Sequence, residues 1–408
     1  MKILGVAKAA LYGIFLNYYC YYVIRGVFIP GGTVLFLALA LLCVGADVLQ
    51  QKRLFVGTEI KCWIAYAILS LITTAFITIG SSSMDFASDI IKYVQRLAII
   101  MMVAYICERE NSIKFGLRLM AVTAVALAIS VITVTGDIQL KLDITSGANL
   151  SQNDTGAILA FGCFTIIFAW GKRRKASLLL SSLKTTGIVL CLIVMFLAGS
   201  RKSIIALTLM LVLMLVLCSG NYLARLNFKR IFIVLIVGIA AYLVVSEMLL
   251  PYAEQTSLYR RLFGLESDVT VDSDDLRMDL YIWAMEEFFE HPFWGMGFNR
   301  YHLEYGVYTH STYVEPLACS GLIGLLYLYP YYLIIKKQLY LIRVSKRGSY
   351  ARLKQKEIFV YLCMALFIAV GIPYMYKDAP CILLGTFVAS QRISFRELRA
   401  TGQTSEDY

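Results

Sequence analysis

Charged residues are scarce in this chain: they make up 16% of its 408 residues, whereas apolar residues make up 59%. A soluble domain contains about 25% charged and about 45–50% apolar residues. The apolar residues are also grouped in blocks of roughly 17–25, the length that crosses the hydrocarbon core of a bilayer. The shortage of charge therefore excludes an ordinary soluble enzyme, and the blocks predict an all-α, polytopic transmembrane helical bundle.

Cysteine is absent from the largest polar segment, residues 251–310, and all ten cysteines lie in or at the edges of apolar blocks. This distribution excludes a disulfide framework and is typical of small buried apolar side chains. An internal repeat and a low-complexity tract are also missing, and we expect no cleavable targeting signal, because no small-residue cleavage site follows the first apolar block. We therefore expect the first apolar block to direct its own insertion into the membrane.

The apolar blocks predict about 12 spans, nine of them in residues 1–250 and three in residues 311–390. The polar segment 251–310 separates the two groups, and residues 391–408 form a polar tail that we expect to be loosely ordered. The predicted spans are 5–24, 31–49, 60–79, 88–107, 115–135, 155–171, 178–198, 202–219, 231–250, 311–335, 357–375 and 378–390.

Lysine and arginine are distributed unevenly between the two sides of this arrangement. With both termini in the cytoplasm, and with the basic residues at the span ends counted with the adjoining segments, the cytoplasmic side contains 26 of the 38 basic residues and the outer side contains 9. The positive-inside rule favours this orientation, which places segment 251–310 on the outer face. The net charge of +11 then faces anionic headgroups, with membrane lipids as partners. Nucleic acid is not an expected partner, because the basic residues are divided among short loops.

The outer segment 251–310 gathers titratable groups. It contains 11 acidic and 4 basic residues, together with all three histidines of the chain, His291, His302 and His310. A long exposed loop has to be polar, which explains the acids but not the many aromatic residues beside them.

An amphipathic helix is predicted from Asp274 to Glu290, because its apolar residues recur at helical spacing and Asp274 can cap its start. Such a helix can lie at the membrane interface and present Arg277 to a lipid headgroup. It can also pack onto the bundle, and the two alternatives do not exclude each other.

Two basic residues begin the eighth predicted span on the outer face: Ser200 is a candidate cap, and Arg201 and Lys202 follow it. A helix N-terminus disfavours cations, and the topology rule disfavours them on this face. Because both rules are broken at one place, the pattern indicates a bound anion such as phosphate, for which arginine offers a bidentate fork. The alternative is that both side chains extend to the membrane interface.

The tenth predicted span begins at Thr309, His310 and Ser311. A histidine at this border can act as a general base near neutral pH, or it can be an interfacial residue that hydrogen-bonds to the loop. Before the sixth span, Asn153 is interpreted first as a capping residue. Arg96 lies within the fourth span, where an arginine has to face the bundle interior, a polar cavity or an ion-pair partner.

Several short motifs occur in order around the outer segment. They are Asn153, Gly199-Ser200-Arg201, Arg277 followed by Tyr281 and Trp283, Pro292-Phe293-Trp294-Gly295-Met296-Gly297, His310, Glu315 and Gly321-Leu322-Ile323-Gly324. Together they resemble the bacterial O-antigen polymerase and O-antigen ligase superfamily over most of the chain. Two positions depart from its pattern: Ser311 stands where the superfamily usually has asparagine, and Lys202 where it usually has glycine.

The resemblance implies a metal-independent, inverting glycosyltransferase of the membrane-embedded C-type fold, without a cofactor, in the bacterial inner membrane. Its donor is a glycan on undecaprenyl pyrophosphate. Arg201 and Arg277 are expected to bind the pyrophosphate as leaving group, and His310 to activate the acceptor hydroxyl. The further expected substrate-binding residues are Lys202, Ser200, Asn153, Ser311, Glu315 and Tyr281.

Three functions remain open. The leading hypothesis is a polymerase that transfers a growing O-antigen or capsule chain onto the next lipid-linked repeat unit, with a chain-length regulator as a further expected partner. A ligase that moves the chain to lipid A core uses the same donor chemistry, and the motifs do not separate the two. The third hypothesis is a non-enzymatic flippase or transporter. It predicts inverted repeats and charged residues along the spans, whereas the charged residues here gather in the outer segment.

Overall fold

The computed structural model of the chain describes residues 2–23, 32–51, 56–77, 85–134, 152–169, 178–198, 200–222, 273–346 and 348–400. Within these ranges every regular element is helical and no strand occurs, which confirms the predicted all-α class. The ninth predicted span, 231–250, and the first part of the outer segment, 251–272, lie outside the described residues.

The helices before the outer segment overlap the first eight predicted spans. They are α1 (Lys2–Val23), α2 (Gly32–Gln51), α3 (Thr58–Ile77), α4 (Asp85–Arg109), α5 (Lys114–Val134), α6 (Gln152–Ala169), α7 (Leu178–Leu197) and α8 (Arg201–Tyr222). The later helices are α9 (Ser273–Glu290), α10 (Arg300–Tyr305), α11 (Glu315–Ser320), α12 (Gly324–Val344), α13 (Tyr350–Ala369) and α14 (Ala379–Ala400). Single 3-10 turns at Gly321–Ile323 and Tyr374–Tyr376 precede α12 and α14.

Four stretches of the described chain are long and apolar enough to cross a membrane: Gly32–Gln51, Thr58–Ile77, Lys114–Thr133 and Glu315–Val344. Shorter apolar helices accompany them at Ile3–Tyr19, Asn153–Ile167, Ser181–Met195 and Lys202–Cys218. Helices of this length and composition are typical of a membrane protein. The number of about 12 spans, their orientation and the division of the chain at residues 250, 310 and 390 stay predictions.

Helix α14 contains more buried residues than any other helix in the part of the chain that the structure describes. Fifteen of its 22 residues are buried, and it packs against α4, α5, α12 and α13. The prediction of a loosely ordered tail from residue 391 is wrong for residues 391–400, which continue this helix. Two polar side chains of this part form hydrogen bonds inside the bundle: Gln391 Nε2 donates to Ile334 O at 2.6 Å, and Gln355 Nε2 donates to Ser394 Oγ at 2.8 Å. Polar residues that form such hydrogen bonds can remain in a buried helix.

The prediction of one continuous span from residue 311 to 335 is wrong at its outer end. Residues 309–311 are irregular and residues 312–314 form a turn, so that the short α11 begins only at Glu315. The 3-10 turn separates α11 from α12. The chain breaks at Gly321, whose φ of +57° is a left-handed conformation that glycine adopts without strain.

The Pro292–Gly297 motif packs against this break. The contact between the two segments explains why each of them has a glycine there. Leu322 N donates to Pro292 O at 2.7 Å. A Cβ at Gly295 would collide with the backbone of Cys319, and a Cβ at Gly321 would collide with the Pro292 carbonyl. The two glycines therefore let two backbones approach closely, and they hold the end of α9 against α11.

Helix α9 confirms the helix that was predicted in the outer segment. It begins at Ser273, so Asp274 lies in its first turn rather than before it. Leu280 and Ala284 are buried in a cluster with Ala318 and Cys319 of α11. One face of α9 therefore packs onto the rest of the chain, as one of the two alternatives predicts.

Two ion pairs connect the start of α14 to other helices. Arg96 Nε in α4 lies 2.8 Å from Asp378 Oδ1, and Arg96 also donates to Met375 O at 3.2 Å. Lys377 Nζ lies 2.6 Å from Asp154 Oδ2 in the first turn of α6. Of the alternatives for Arg96, the structure shows the ion pair.

Candidate functional site

The segment around His310 is attached to residues 369–374, which connect α13 to the following 3-10 turn and are called the α13 turn below. Thr312 N donates to Ala369 O at 2.9 Å. The Thr312 hydroxyl donates to Ile372 O and accepts a hydrogen bond from Tyr374 N at 3.0 Å. Because Thr312 is fully buried, these three bonds fix the backbone two residues after His310 to the α13 turn.

The first turn of α8 reaches the same place. Lys202 Nζ lies 5.8 Å from the centre of the Phe367 ring in α13, a distance at which an ammonium is attracted to an aromatic face. It also occupies the space beside Gly371, where an added Cβ would overlap it. Arg201 precedes Lys202 as the first residue of α8, and its side chain lies outside what the structure describes.

Helix α9 meets the α13 turn from the outer segment. The Tyr281 hydroxyl donates to Val370 O at 2.9 Å. Arg277 lies four residues earlier in the same helix, hence about one turn away along the axis. The Arg277 side chain, like that of Arg201, is outside the described part of the structure.

Three segments that are far apart in sequence therefore contact four consecutive residues of the α13 turn, 369–372. The Cα atoms of such a stretch span at most about 11 Å. Lys202, Tyr281 and Thr312 are thus brought close together, although up to 110 positions separate them in the chain. The structure brings together the neighbourhoods of the three predicted catalytic residues, while the side-chain positions of Arg201 and Arg277 stay predictions.

His310 itself does not begin a helix, contrary to the prediction. It is half-buried, and its φ of +56° is uncommon for a residue other than glycine. The residue before His310 is also hydrogen-bonded inside the protein. Thr309 donates to Glu315 Oε2 from its backbone N at 2.8 Å and from its hydroxyl at 2.6 Å. Hydrogen bonds on both sides thus hold His310 in this conformation.

Glu315 and Ser311 have contacts inside the protein. Glu315 is completely buried, and its carboxylate accepts both bonds from Thr309. Ser311 is buried, and its hydroxyl accepts a bond from Tyr313 N at 3.2 Å. The nearby Tyr376 hydroxyl is neutral at physiological pH, as is usual for tyrosine, and burial raises its pKa further. These contacts explain how the segment is folded, and the assignment of Glu315 and Ser311 to substrate binding stays a prediction.

Ser200 and Asn153 lie where α8 and α6 begin. Ser200 is buried immediately before α8, and its Oγ lies 2.8 Å from Ser203 Oγ. A Cβ at Gly156 of α6 would collide with Ser200, so the two helix starts are in close contact. Asn153 is half-buried in the first turn of α6 rather than before the helix. The adjacent Asp154–Lys377 ion pair joins this turn to the region just after the α13 turn.

Sequence reasoning did not identify Thr312, Gly371 or Lys377 as parts of this site. The only signal at Gly371 is the break of an apolar block by a glycine and Pro373. A threonine two residues after a histidine carries no comparable signal, because its partners lie about 60 residues further along the chain.

Comparison with known proteins agrees with the resemblance drawn from the motifs. Residues 186–329 match a family model described as O-antigen ligase. The matched region contains Arg201, Arg277 and His310, and it ends before the α13 turn. No curated protein matches the chain. The resemblance to the O-antigen polymerase and O-antigen ligase superfamily is thereby confirmed.

Proposed function

Since residues 186–329 match the O-antigen ligase family, we propose that this membrane protein is a glycosyltransferase of the O-antigen polymerase type. Its donor is a glycan linked to undecaprenyl pyrophosphate, and its acceptor is a hydroxyl of another lipid-linked repeat unit. The proposal includes a site on the outer face of the bacterial inner membrane, both termini in the cytoplasm, and inversion at the anomeric carbon.

The observation that carries this proposal is the meeting of three segments at the α13 turn. The start of α8 offers helix N–H groups and Arg201, and α9 offers Arg277. A helix N-terminus and two guanidinium groups suit a pyrophosphate, which gains negative charge as it leaves. The His310 segment is attached to the same turn and would bring a proton acceptor to the acceptor hydroxyl.

The reaction then proceeds in one displacement. The acceptor oxygen attacks the anomeric carbon of the donor while its proton passes to His310. The bond between that carbon and the phosphate oxygen breaks, and its electrons leave with the pyrophosphate. Arg201 and Arg277 offset the charge of the leaving group, and Lys202 adds a third positive charge beside them.

Elongation of a purified lipid-linked repeat unit by the reconstituted protein tests the proposal. Arg201→Ala, Arg277→Ala and His310→Ala are each expected to lower the elongation rate about 10²–10⁴-fold. His291→Ala and Arg300→Ala are matched controls in the outer segment, and both should elongate at the wild-type rate. Unchanged elongation by all three site variants would contradict the site.

The same assay separates the alternatives. A polymerase lengthens the lipid-linked unit when no other acceptor is present. A ligase forms product only when lipid A core is added. A flippase moves the unit across the bilayer without forming a new glycosidic bond, so the mass of the product distinguishes it from both.

A further inference from the structure

Helix α9 has a second apolar face besides the one that packs on α11. Leu280 and Ala284 are buried, with Leu280 only 1% exposed. At about 100° per residue, the opposite face of the helix carries four apolar residues. They are Met278, Ile282, Met285 and Phe289. Phe289 is 71% exposed, and Met278 and Ile282 are exposed as well.

The exposed apolar surface continues beyond the end of α9. Phe293 and Trp294, in the turn that follows, are 64% and 60% exposed. The backbone of this turn is attached to Leu322, which is also exposed, through the Pro292 carbonyl. Leu322 starts a row of exposed residues at intervals of three and four along α12. The row consists of Leu322, Leu325, Tyr329 and Tyr332.

The position of this row indicates that the exposed apolar surface faces lipid. It lies on Glu315–Val344, a stretch long and apolar enough to cross a membrane, and exposed apolar residues on a span face lipid. Trp294 therefore lies at one end of a lipid-facing surface, away from the end that carries Lys336 and Lys337. Tryptophan and tyrosine are enriched where a span leaves the hydrocarbon core.

Three acidic residues of α9 are placed so that they can stay in water. Asp279, Glu286 and Glu290 are exposed and lie about 90° around the helix from the apolar face. A helix with an apolar face can lie in the interface plane while its charged flank stays in water.

We propose that the apolar face of α9 and the Phe293–Trp294 turn form a membrane-binding surface, whose partner is the headgroup region of the phospholipid bilayer. It would hold α9, and with it Arg277, at the level where a membrane lipid carries its phosphates. The surface is independent of the reaction, so its test does not depend on the proposed function.

Tryptophan quenching in nanodiscs tests the surface. The background protein carries Trp283→Phe and Trp294→Phe. Each sample then has one tryptophan probe added to this background, either by restoring Trp294, by Phe289→Trp or by Glu286→Trp. Trp63 and Trp170 are common to all samples, and the background protein supplies their signal for subtraction. The lipids are phosphatidylcholine brominated near the headgroup, and acrylamide is the aqueous quencher.

Probes at positions 289 and 294 should be quenched several-fold more by the brominated lipid than the probe at 286, and acrylamide should show the reverse order. The Glu286 position is the matched control, because it is also exposed on the same helix. Equal access of acrylamide to positions 286 and 289, with no effect of the brominated lipid, would overturn the proposal. Protection of position 289 from both quenchers would also overturn it, since protein rather than lipid would then cover the face.

Discussion

The ammonium of Lys202 occupies the space that a side chain at position 371 would fill. The two residues belong to α8 and to the α13 turn, and they are separated by 169 positions in the chain. In the superfamily pattern the position of Lys202 is usually glycine. This chain therefore combines an added cation at the start of α8 with a glycine on the opposite side that leaves room for it.

Gly371→Ala should displace the Lys202 ammonium without unfolding the protein, because the colliding atom is the end of a flexible side chain. If Lys202 binds the donor, KM for the lipid-linked unit rises as much as in Lys202→Gly. Gly371→Ala should then have no additional effect in the Lys202→Gly background, which a double-mutant cycle measures. Gly45→Ala, where an added Cβ meets nothing, is the control. Fully additive effects would contradict the coupling.

Thr312→Val should lower kcat more than it raises KM, because it removes the hydroxyl that attaches the His310 segment to the α13 turn. An unpaired buried polar group costs about 1–3 kcal/mol. Thr312→Ser keeps the hydroxyl and should restore most of the rate. The control is Thr185→Val, since the hydroxyl of Thr185 bonds to its own helix at Ser181 O. Equal activity of the valine and serine variants would show that the hydroxyl does not position His310.

Gly295→Ala and Gly321→Ala should both lower the thermal stability of the protein strongly. Each residue has a positive φ, and an added Cβ would also collide with backbone atoms of another segment. The left-handed conformation alone costs a residue other than glycine about 1–2 kcal/mol.

Gly306→Ala isolates that conformational cost, because its φ is +72° and an added Cβ meets nothing within 4 Å. Thermal unfolding followed by circular dichroism should therefore rank Gly306→Ala as the mildest of the three. The same loss of stability in all three variants would mean that the close backbone approach contributes nothing.

Asp378→Asn should destabilise the protein by about 3–5 kcal/mol, because it leaves the Arg96 charge without its partner in a largely buried place. Glu110→Gln breaks the more exposed ion pair with Lys8 and should cost only about 0–1 kcal/mol. Unfolding in denaturant compares the two variants. Similar losses would contradict the view that the Arg96–Asp378 pair is the more desolvated one.

The sequence was sufficient to predict most of the long helices that the structure describes. The predicted span 178–198 is found as Leu178–Leu197, and the predicted helix of the outer segment is found as Ser273–Glu290. Such predictions succeed because the thickness of the bilayer sets the length of an apolar block, and because helical periodicity is a local property of a few turns. The resemblance to the superfamily also came from short motifs, whereas the orientation, which rests on the local pattern of charge, stays a prediction.

Local patterns could not predict the break at Gly321 or the extension of α14 to Ala400, because both depend on partners from other segments. The assembly of the candidate site also depends on partners from other segments. The sequence named His310 and the start of α8, whereas only the tertiary structure showed that the α13 turn brings them together through Thr312 and Lys202. Apolar periodicity determines which face of a helix is buried, but the packing of the whole bundle determines which distant residues that face will meet.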